Sequence, residues 1–212
     1  MAPNLLGIRI IHRAMRGDAR RLAAVLAQLA AGEQKADEVR LRAIEEFTGK
    51  LCAGIHHHHR AEDEVLWPVI VRAAVGSVDL SELSDDHASL DPLLDDITGE
   101  AARLRTDPLA GHRLAKGLRT LADLLDEHIG QEERLLFPVI RKYVSESEWK
   151  TVENAVRKGG DLRFDLPRVE QYAEREELAE LRREAGPVIG LALALTRPGH
   201  RRRQRLIFGE GQ

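Results

Sequence analysis

Two short segments of the chain each place a histidine four positions before a glutamate. The first pair is His58 with Glu62, and the second is His128 with Glu132. Residues four apart lie on one face of an α-helix, so each pair presents an imidazole and a carboxylate side by side. Imidazole nitrogens and carboxylate oxygens are ligands that iron and other first-row transition metals accept. The spacing therefore predicts a metal site built from two helices.

The two pairs belong to an internal repeat. Residues 58–72, HHRAEDEVLWPVIVR, align without gaps on residues 128–142, HIGQEERLLFPVIRK. Both copies continue from the glutamate to a leucine, an aromatic residue, a proline, a valine and an isoleucine. Each pair also lies on the apolar stripe of its helix, where unpartnered polar groups cost on the order of several kcal/mol each. A shared metal would remove that cost.

Four helical segments must position these side chains. Apolar residues recur every three or four positions over about residues 8–29, 37–74, 84–104 and 108–144, which is typical of amphipathic helices. The connections are short, so sequential helices should pack antiparallel. Alternating β-branched segments typical of strands are absent from the sequence. We expect an all-α protein, with an antiparallel up-down four-helix bundle over residues 1–144 and a C-terminal helical extension of unknown role over residues 145–212.

The first and third helices each carry a histidine on the stripe that faces the core. His12 lies between Ile8 and Met15, and His87 precedes Leu90. These helices start at the end of the bundle where the second and fourth finish, so their histidines can meet the two pairs. The predicted metal ligands are His12, His58, Glu62, His87, His128 and Glu132.

His58 lies inside a run of four histidines, residues 56–59. Successive residues turn about 100° around a helix, so most of this run should point away from the core. His58 has a glutamate four residues later and a counterpart in the repeat, whereas Ile129 stands opposite His59. We therefore expect His56 and His59 to face solvent. Three further residues stay undecided as members of the site: His57, Asp91 and Glu133.

This constellation resembles the hemerythrin-like family, also called HHE cation-binding domains. The order of histidine, His-x-x-x-Glu, histidine and His-x-x-x-Glu fits roughly residues 5–144, and the triplets LWP and LFP follow the two pairs. The resemblance implies a four-helix bundle around a non-haem centre of two iron ions with an oxo or hydroxo bridge. A ferritin-like site is disfavoured because it needs Glu-x-x-His pairs. Zinc is disfavoured because it prefers four ligands.

The chain departs from oxygen-carrying hemerythrins at two positions. Those proteins have a second histidine one turn after the third-helix histidine, where this chain has Asp91. They also have an aspartate five residues after the fourth-helix histidine, where this chain has Glu133. The resemblance implies binding of O2 or a related small molecule for storage, sensing or delivery. The departures leave room for peroxidase or catalase-like removal of hydrogen peroxide or nitric oxide. A further alternative is an iron or redox sensor whose extension changes conformation or partner with metal occupancy.

Composition sets further limits on partners and compartment. The 212 residues are 43% hydrophobic and 32% charged, with a net charge of −3 and one cysteine. This charge gives no general attraction to nucleic acid, and a lone cysteine fits a reducing compartment. The apolar run at residues 187–195 is too short to span a bilayer,, and the N-terminus lacks a signal-peptide pattern. We expect a cytoplasmic protein that binds a small molecule (O2, peroxide or nitric oxide), with no nucleic-acid partner, no transmembrane segment and an unknown protein partner.

Overall fold

A computed structural model describes residues 2–74, 76 and 78–209 of the chain. Most of this part is helical and no strand occurs within it, which confirms the prediction of an all-α protein. The second predicted segment is a nearly continuous rod that contains a π-helical turn. The elements of this region are α1 (Leu6–Ala30), α2 (Glu38–Ala61), the π-helical turn (Glu62–Leu66), α3 (Trp67–Ala73), α4 (Ser81–Arg103) and α5 (Ala110–Tyr143), and all of them except α3 carry a predicted ligand.

Side-chain oxygens near the helix starts explain where two of these helices begin. The carboxylate of Asp37 caps α2 by accepting a 2.8 Å hydrogen bond from the N–H of Arg40. α4 begins at Ser81, earlier than the predicted start near Ser84. The carboxylate of Asp79 there accepts hydrogen bonds from the Ser81 N–H and hydroxyl, at 2.9 and 2.7 Å. Such acceptors satisfy N–H groups that have no partner inside the helix.

The long helices pack side by side, with α1 and α4 each contacting both α2 and α5. Two apolar clusters fill the space between them. Along each long helix, the predicted ligands lie between the residues that belong to one cluster and those that belong to the other. The first cluster includes Leu22, Leu51, Leu94 and Leu118, and the second includes Leu5, Ile70, Leu83 and Ile140. A polar layer of histidine and glutamate is thus enclosed by apolar layers above and below.

Four further helices follow: α6 (Glu146–Gly159), α7 (Leu162–Tyr172), α8 (Arg175–Ala185) and α9 (Pro187–Phe208). α6 begins at a capping box that Ser145 and Glu148 form. α7 begins at Leu162, because Asp161 accepts hydrogen bonds from the backbone N–H groups of Arg163 and Phe164. Within the described residues, no helix is both long and apolar enough to cross a bilayer.

The helices after residue 145 pack on the bundle. The ring centroid of Phe47 in α2 lies 5.1 Å from that of Phe164 in α7 and 5.9 Å from that of Phe208 in α9. A buried ion pair, with Arg168 Nε 2.6 Å from Asp18 Oδ2, joins α7 to α1. The aromatic side chains of these later helices therefore complete the same apolar core.

Candidate metal centre

The first half of the polar layer joins α1, α2, the π-helical turn and α5. His12 Nε2 lies 3.0 Å from His58 Nε2 and 3.5 Å from Glu132 Oε2. Glu62 Oε1 lies 3.2 Å from His58 Nε2. All four side chains are buried, and their ligand atoms lie within 4.8 Å of one another. Two imidazoles and two carboxylates thus converge on one small volume.

The second half of the layer joins α4 to α5. His87 Nε2 lies 3.0 Å from His128 Nε2 and 3.6 Å from Glu62 Oε2. The two oxygens of Glu62 therefore face different histidines, one in each half. The structure thus brings together all six residues that the sequence singled out, with Glu62 between the halves.

Three of these histidines use their second ring nitrogen to contact a carboxylate. The contacts are His12 Nδ1 to Glu133 Oε1 at 2.9 Å, His87 Nδ1 to Asp63 Oδ2 at 3.1 Å, and His128 Nδ1 to Asp86 Oδ2 at 3.2 Å. An ionised carboxylate can only accept, so each Nδ1 carries the proton and each Nε2 carries a lone pair. Carboxylates orient metal-binding histidines in the same way.

The ring nitrogens at the centre are arranged so that a cation could bind between them. Because Nδ1 of both His87 and His128 faces a carboxylate, their Nε2 lone pairs point at each other across 3.0 Å. Two lone pairs at this distance repel, and a cation that both can bind removes the repulsion. Burial, together with neighbouring histidines, lowers the pKa of His58 and of His128, which keeps these rings neutral,.

The two glutamates carry buried oxygens that lack hydrogen bonds. Among the described residues, neither oxygen of Glu62 and neither oxygen of Glu132 has a hydrogen-bond partner. Burial, and then the charge of Glu132, raise the pKa of the Glu62 carboxyl well above its usual range. Buried carboxylates without partners are costly unless a cation compensates them. The donor set therefore fits a bound metal.

His59 contradicts the prediction that it faces solvent. Its side chain is buried, with its ring stacked on His87 at 4.1 Å between centroids and edge-on to His128 at 5.5 Å. Neither ring nitrogen has a hydrogen-bond partner in the described part of the chain. Ligand atoms of His59, His87 and His128 lie within 4.8 Å of one another. His59 thus adds a seventh buried donor, on the His87 side of the layer.

The prediction failed because the inward-facing arc of this helix is wide. A helix among several neighbours buries a stripe of 100° or more, so two successive residues can both face inward. The repeat contained this signal, because Ile129, the counterpart of His59, is a buried core residue. His56 does lie near the surface, with a side chain 26% exposed and paired with Asp91 at 2.9 Å.

The three residues that the sequence left undecided lie around the layer. Glu133 contacts Nδ1 of His12, and Asp91 pairs with His56 near the surface. His57 Nε2 lies 2.7 Å from the carbonyl oxygen of Val156 in α6. Two further acidic residues, Asp63 and Asp86, contact ring nitrogens in the second half of the layer. The sequence pattern did not single them out as members of the site.

The internal repeat produces an approximate two-fold arrangement. The Trp67 ring stacks on His87 with centroids 5.9 Å apart, and the Phe137 ring stacks on His12 with centroids 6.4 Å apart. Each copy of the repeat thus supplies an aromatic wall and a carboxylate contact for a histidine on another helix. His59 has no counterpart in the second copy, so the centre is asymmetric in its histidines.

Comparisons with known proteins bear on this centre. A DNA nickase from Nostoc sp. is 31% identical over 117 residues, which are 54% of this chain and 31% of that protein. The chain therefore spans about a third of the length of this curated relative. No solved structure gives a significant match. The Hemerythrin HHE cation binding domain matches residues 8–140, a segment that holds all seven converging side chains. The chain belongs to the hemerythrin HHE cation-binding domain family.

Proposed function

We propose that this protein holds a centre of two iron ions that binds O2 or a related small molecule for storage, sensing or delivery. One observation carries the proposal: two adjacent groups of buried imidazoles and carboxylates have ligand atoms that converge without other partners. The proposed ligands are His12, His58, Glu62, His87, His128 and Glu132, with His59 added to them.

Each group of donors suits one ion. His12 and His58 face the first position, while His59, His87 and His128 face the second. Glu62 has an oxygen toward each half and is the natural bridge. Five imidazoles and the oxygens of two carboxylates leave about three of roughly twelve positions on two octahedral ions for a small ligand. On this proposal His59 supplies the fifth histidine that the sequence lacks at Asp91.

The donor set favours iron over zinc. Seven converging donors exceed the four that tetrahedral zinc takes, while iron accepts imidazole and carboxylate at higher coordination numbers. Bound iron would supply reversible redox chemistry and open positions for a small ligand. The protein residues fix the donors: Asp63, Asp86 and Glu133 hold the imidazole rings in orientation. The apolar layers on both sides exclude water.

We also propose that residues 1–144 form an antiparallel up-down four-helix bundle, with residues 145–212 as its extension. His12 and His87 lie early in α1 and α4, yet they meet His58 and His128, which lie late in α2 and α5. Alternating helix directions bring these positions to one level. We expect a cytoplasmic protein, since buried Cys52 is its single cysteine,.

A sensor is the second candidate function, and one contact favours it. His57 adjoins the proposed ligand His58 and contacts the backbone of α6 at Val156. A change of metal occupancy at His58 therefore has a short path to the extension. Peroxide or nitric oxide turnover would use the same centre. The name of the Nostoc sp. relative adds DNA cleavage as an outcome to test against our proposal of no nucleic-acid partner.

Metal analysis of the purified full chain, with optical spectra before and after addition and removal of O2, tests the proposal. We expect two irons per chain and a spectrum that changes reversibly with O2. An iron content near zero or one overturns the dinuclear centre. Steady consumption of hydrogen peroxide would instead identify the protein as a peroxidase or catalase-like enzyme. Proteolysis of residues 145–212 that depends on iron would identify it as a sensor. Nicking of supercoiled plasmid would contradict the proposal that the protein has no nucleic-acid partner.

A further inference from the structure

A cavity of about 260 Å3 lies between the bundle and the extension. α1 and α2 form one wall of this chamber, and α6 and α7 form the other. His58 and Glu62, at the edge of the metal layer, line it as well. A large part of its wall therefore comes from residues beyond the segment 8–140 that matches the family.

The chamber is apolar and lacks a side chain that fills it. Ile11, Val156, Leu166 and Val169 line it and are only partly buried, although they lie between packed helices. Protein interiors are normally packed to high density, so such residues should be fully covered. Gly54 of α2 also lines the chamber, and a methyl group added there would meet no atom within 4 Å. The space next to Gly54 on α2 is therefore unfilled.

Several charged groups of the wall contact other protein groups, while Nη2 of Arg168 and the oxygens of Glu62 have no hydrogen-bond partner among the described residues. His57 contacts the Val156 carbonyl oxygen, and Asp165 accepts a 2.9 Å hydrogen bond from Arg168, whose Nε donates to Asp18. Burial raises the pKa of the Glu153 carboxyl, which favours its neutral form,. These pairings favour a neutral occupant of the chamber over an ionic one.

We propose that the chamber binds a neutral apolar organic molecule, about one or two aromatic rings in size, with one end at His58 and Glu62. A cavity of about 150 Å3 in another protein holds benzene, so this chamber exceeds what O2 alone requires. Pockets of this kind bind through the burial of apolar surface. The role of such a molecule as co-substrate or effector rests on the proposed metal centre, whereas its binding does not.

N-phenyl-1-naphthylamine is a suitable probe, because it is neutral and fluoresces strongly only in apolar surroundings. We expect saturable binding of one probe per full-length chain, with iron and without. Gly54→Leu fills the chamber and should weaken binding about tenfold or more, since the space is lost. Gly49→Leu is the matched control: Gly49 lies on the same helix, has equally free space at Cβ and does not line the chamber. This variant should bind the probe as wild type does.

Absence of saturable binding, or equal affinity in Gly54→Leu and wild type, overturns the chamber. Iron beside His58 and Glu62 should quench the bound probe, so equal fluorescence with and without iron overturns that placement. Iron content is measured on the same samples, and Gly54→Leu should retain the wild-type content. In wild type, absence of probe binding with normal iron therefore refutes this inference alone, and missing iron with normal probe binding refutes the proposed function alone.

Discussion

At the scale of single residues, a ligand nitrogen must be unprotonated, buried and free of another partner. His59 meets these conditions, since burial and neighbouring imidazoles lower its pKa to about 2 and neither nitrogen has a hydrogen bond among the described residues. His56 has a partly exposed ring that pairs with Asp91 and does not meet them. On the proposed function, these two histidines, three positions apart, therefore have opposite roles because of their geometry.

His59→Ile separates a ligand role from a structural one. Isoleucine occupies the matching position in the repeat, at Ile129, and is buried there. We expect the iron content to fall from two to about one per chain. The metal-free variant should be as stable as wild type or more so by about 1–2 kcal/mol, because a buried imidazole without partners is removed. Metal analysis and denaturant unfolding measure the two effects.

His56→Ala is the control for this substitution and should retain two irons. Full iron in His59→Ile would show that His59 is only a core residue. Equal loss of iron in both variants would point to a general disturbance of α2. The combination of lost iron with retained stability is the result that a purely structural role cannot produce.

The sequence identified much of this layer, and particular residues show why it missed the rest. The spacing of four positions and the repeat singled out both His–Glu pairs, because these signals are local. Asp63 and Glu133 occupy equivalent positions of the repeat, so their shared role had a signal that went unused. Asp86 had none, since its contact with His128 depends on how α4 packs against α5. Contacts between helices cannot be obtained from periodicity alone.

At the scale of elements, the periodicity of apolar residues located the four long helices to within a few residues. It did not predict the π-helical turn at Glu62–Leu66, because the second copy of the repeat has the same spacing and is regular α-helix within α5. π-Helical turns inside α-helices are frequent at functional sites. This one begins at Glu62, a proposed ligand, and the corresponding segment of the second repeat copy has no such turn.

The contact between α1 and α7 depends on a glycine. A Cβ atom on Gly17 would overlap the Tyr172 ring, which is held in place because its hydroxyl donates a 2.7 Å hydrogen bond to Asp18. Gly17→Ala should therefore displace α7 and reduce the free energy of unfolding by about 1–3 kcal/mol. Limited proteolysis within residues 145–212 should become faster.

Gly49→Ala provides the comparison for this substitution. Gly49 also lies inside a long helix, but a methyl group there meets no atom within 4 Å. The alanine should stabilise the protein by up to about 1 kcal/mol through its higher helix propensity. If Gly17→Ala also stabilises the protein and leaves proteolysis unchanged, then the Tyr172 ring moves freely and α7 is not seated by this contact.

At the scale of the whole molecule, the extension contributes to the core of the bundle and to the wall of the chamber. The sequence predicts a helical extension over residues 145–212 and assigns no role to it. Phe164 and Phe208 do pack against Phe47 of the bundle. Docking also buries polar groups, among them His200 of α9, whose Nε2 lies 2.7 Å from Oε1 of Gln171 in α7. The packing of these later helices on the bundle should therefore depend on the protonation of His200.

Acid should weaken this docking through His200. Burial lowers the pKa of His200 from 6.5 to about 4; Asp18 opposes this shift, and three cations add to it: Arg203, Arg168 and Arg21. The unfolded state binds the proton first, so the contribution of His200 to stability is complete above pH 6.5 and is lost as the pH falls toward 4.

His200→Gln keeps a side-chain donor for Gln171 but cannot take up this proton. Measured by denaturant unfolding at matched metal content, its stability relative to wild type should be constant above about pH 7 and rise below pH 6.5, by at most about 1.4 kcal/mol per pH unit. The proposed metal centre is the same in both proteins and cancels in the difference, so parallel profiles between pH 7 and 5 would show that folding does not lower the pKa of His200.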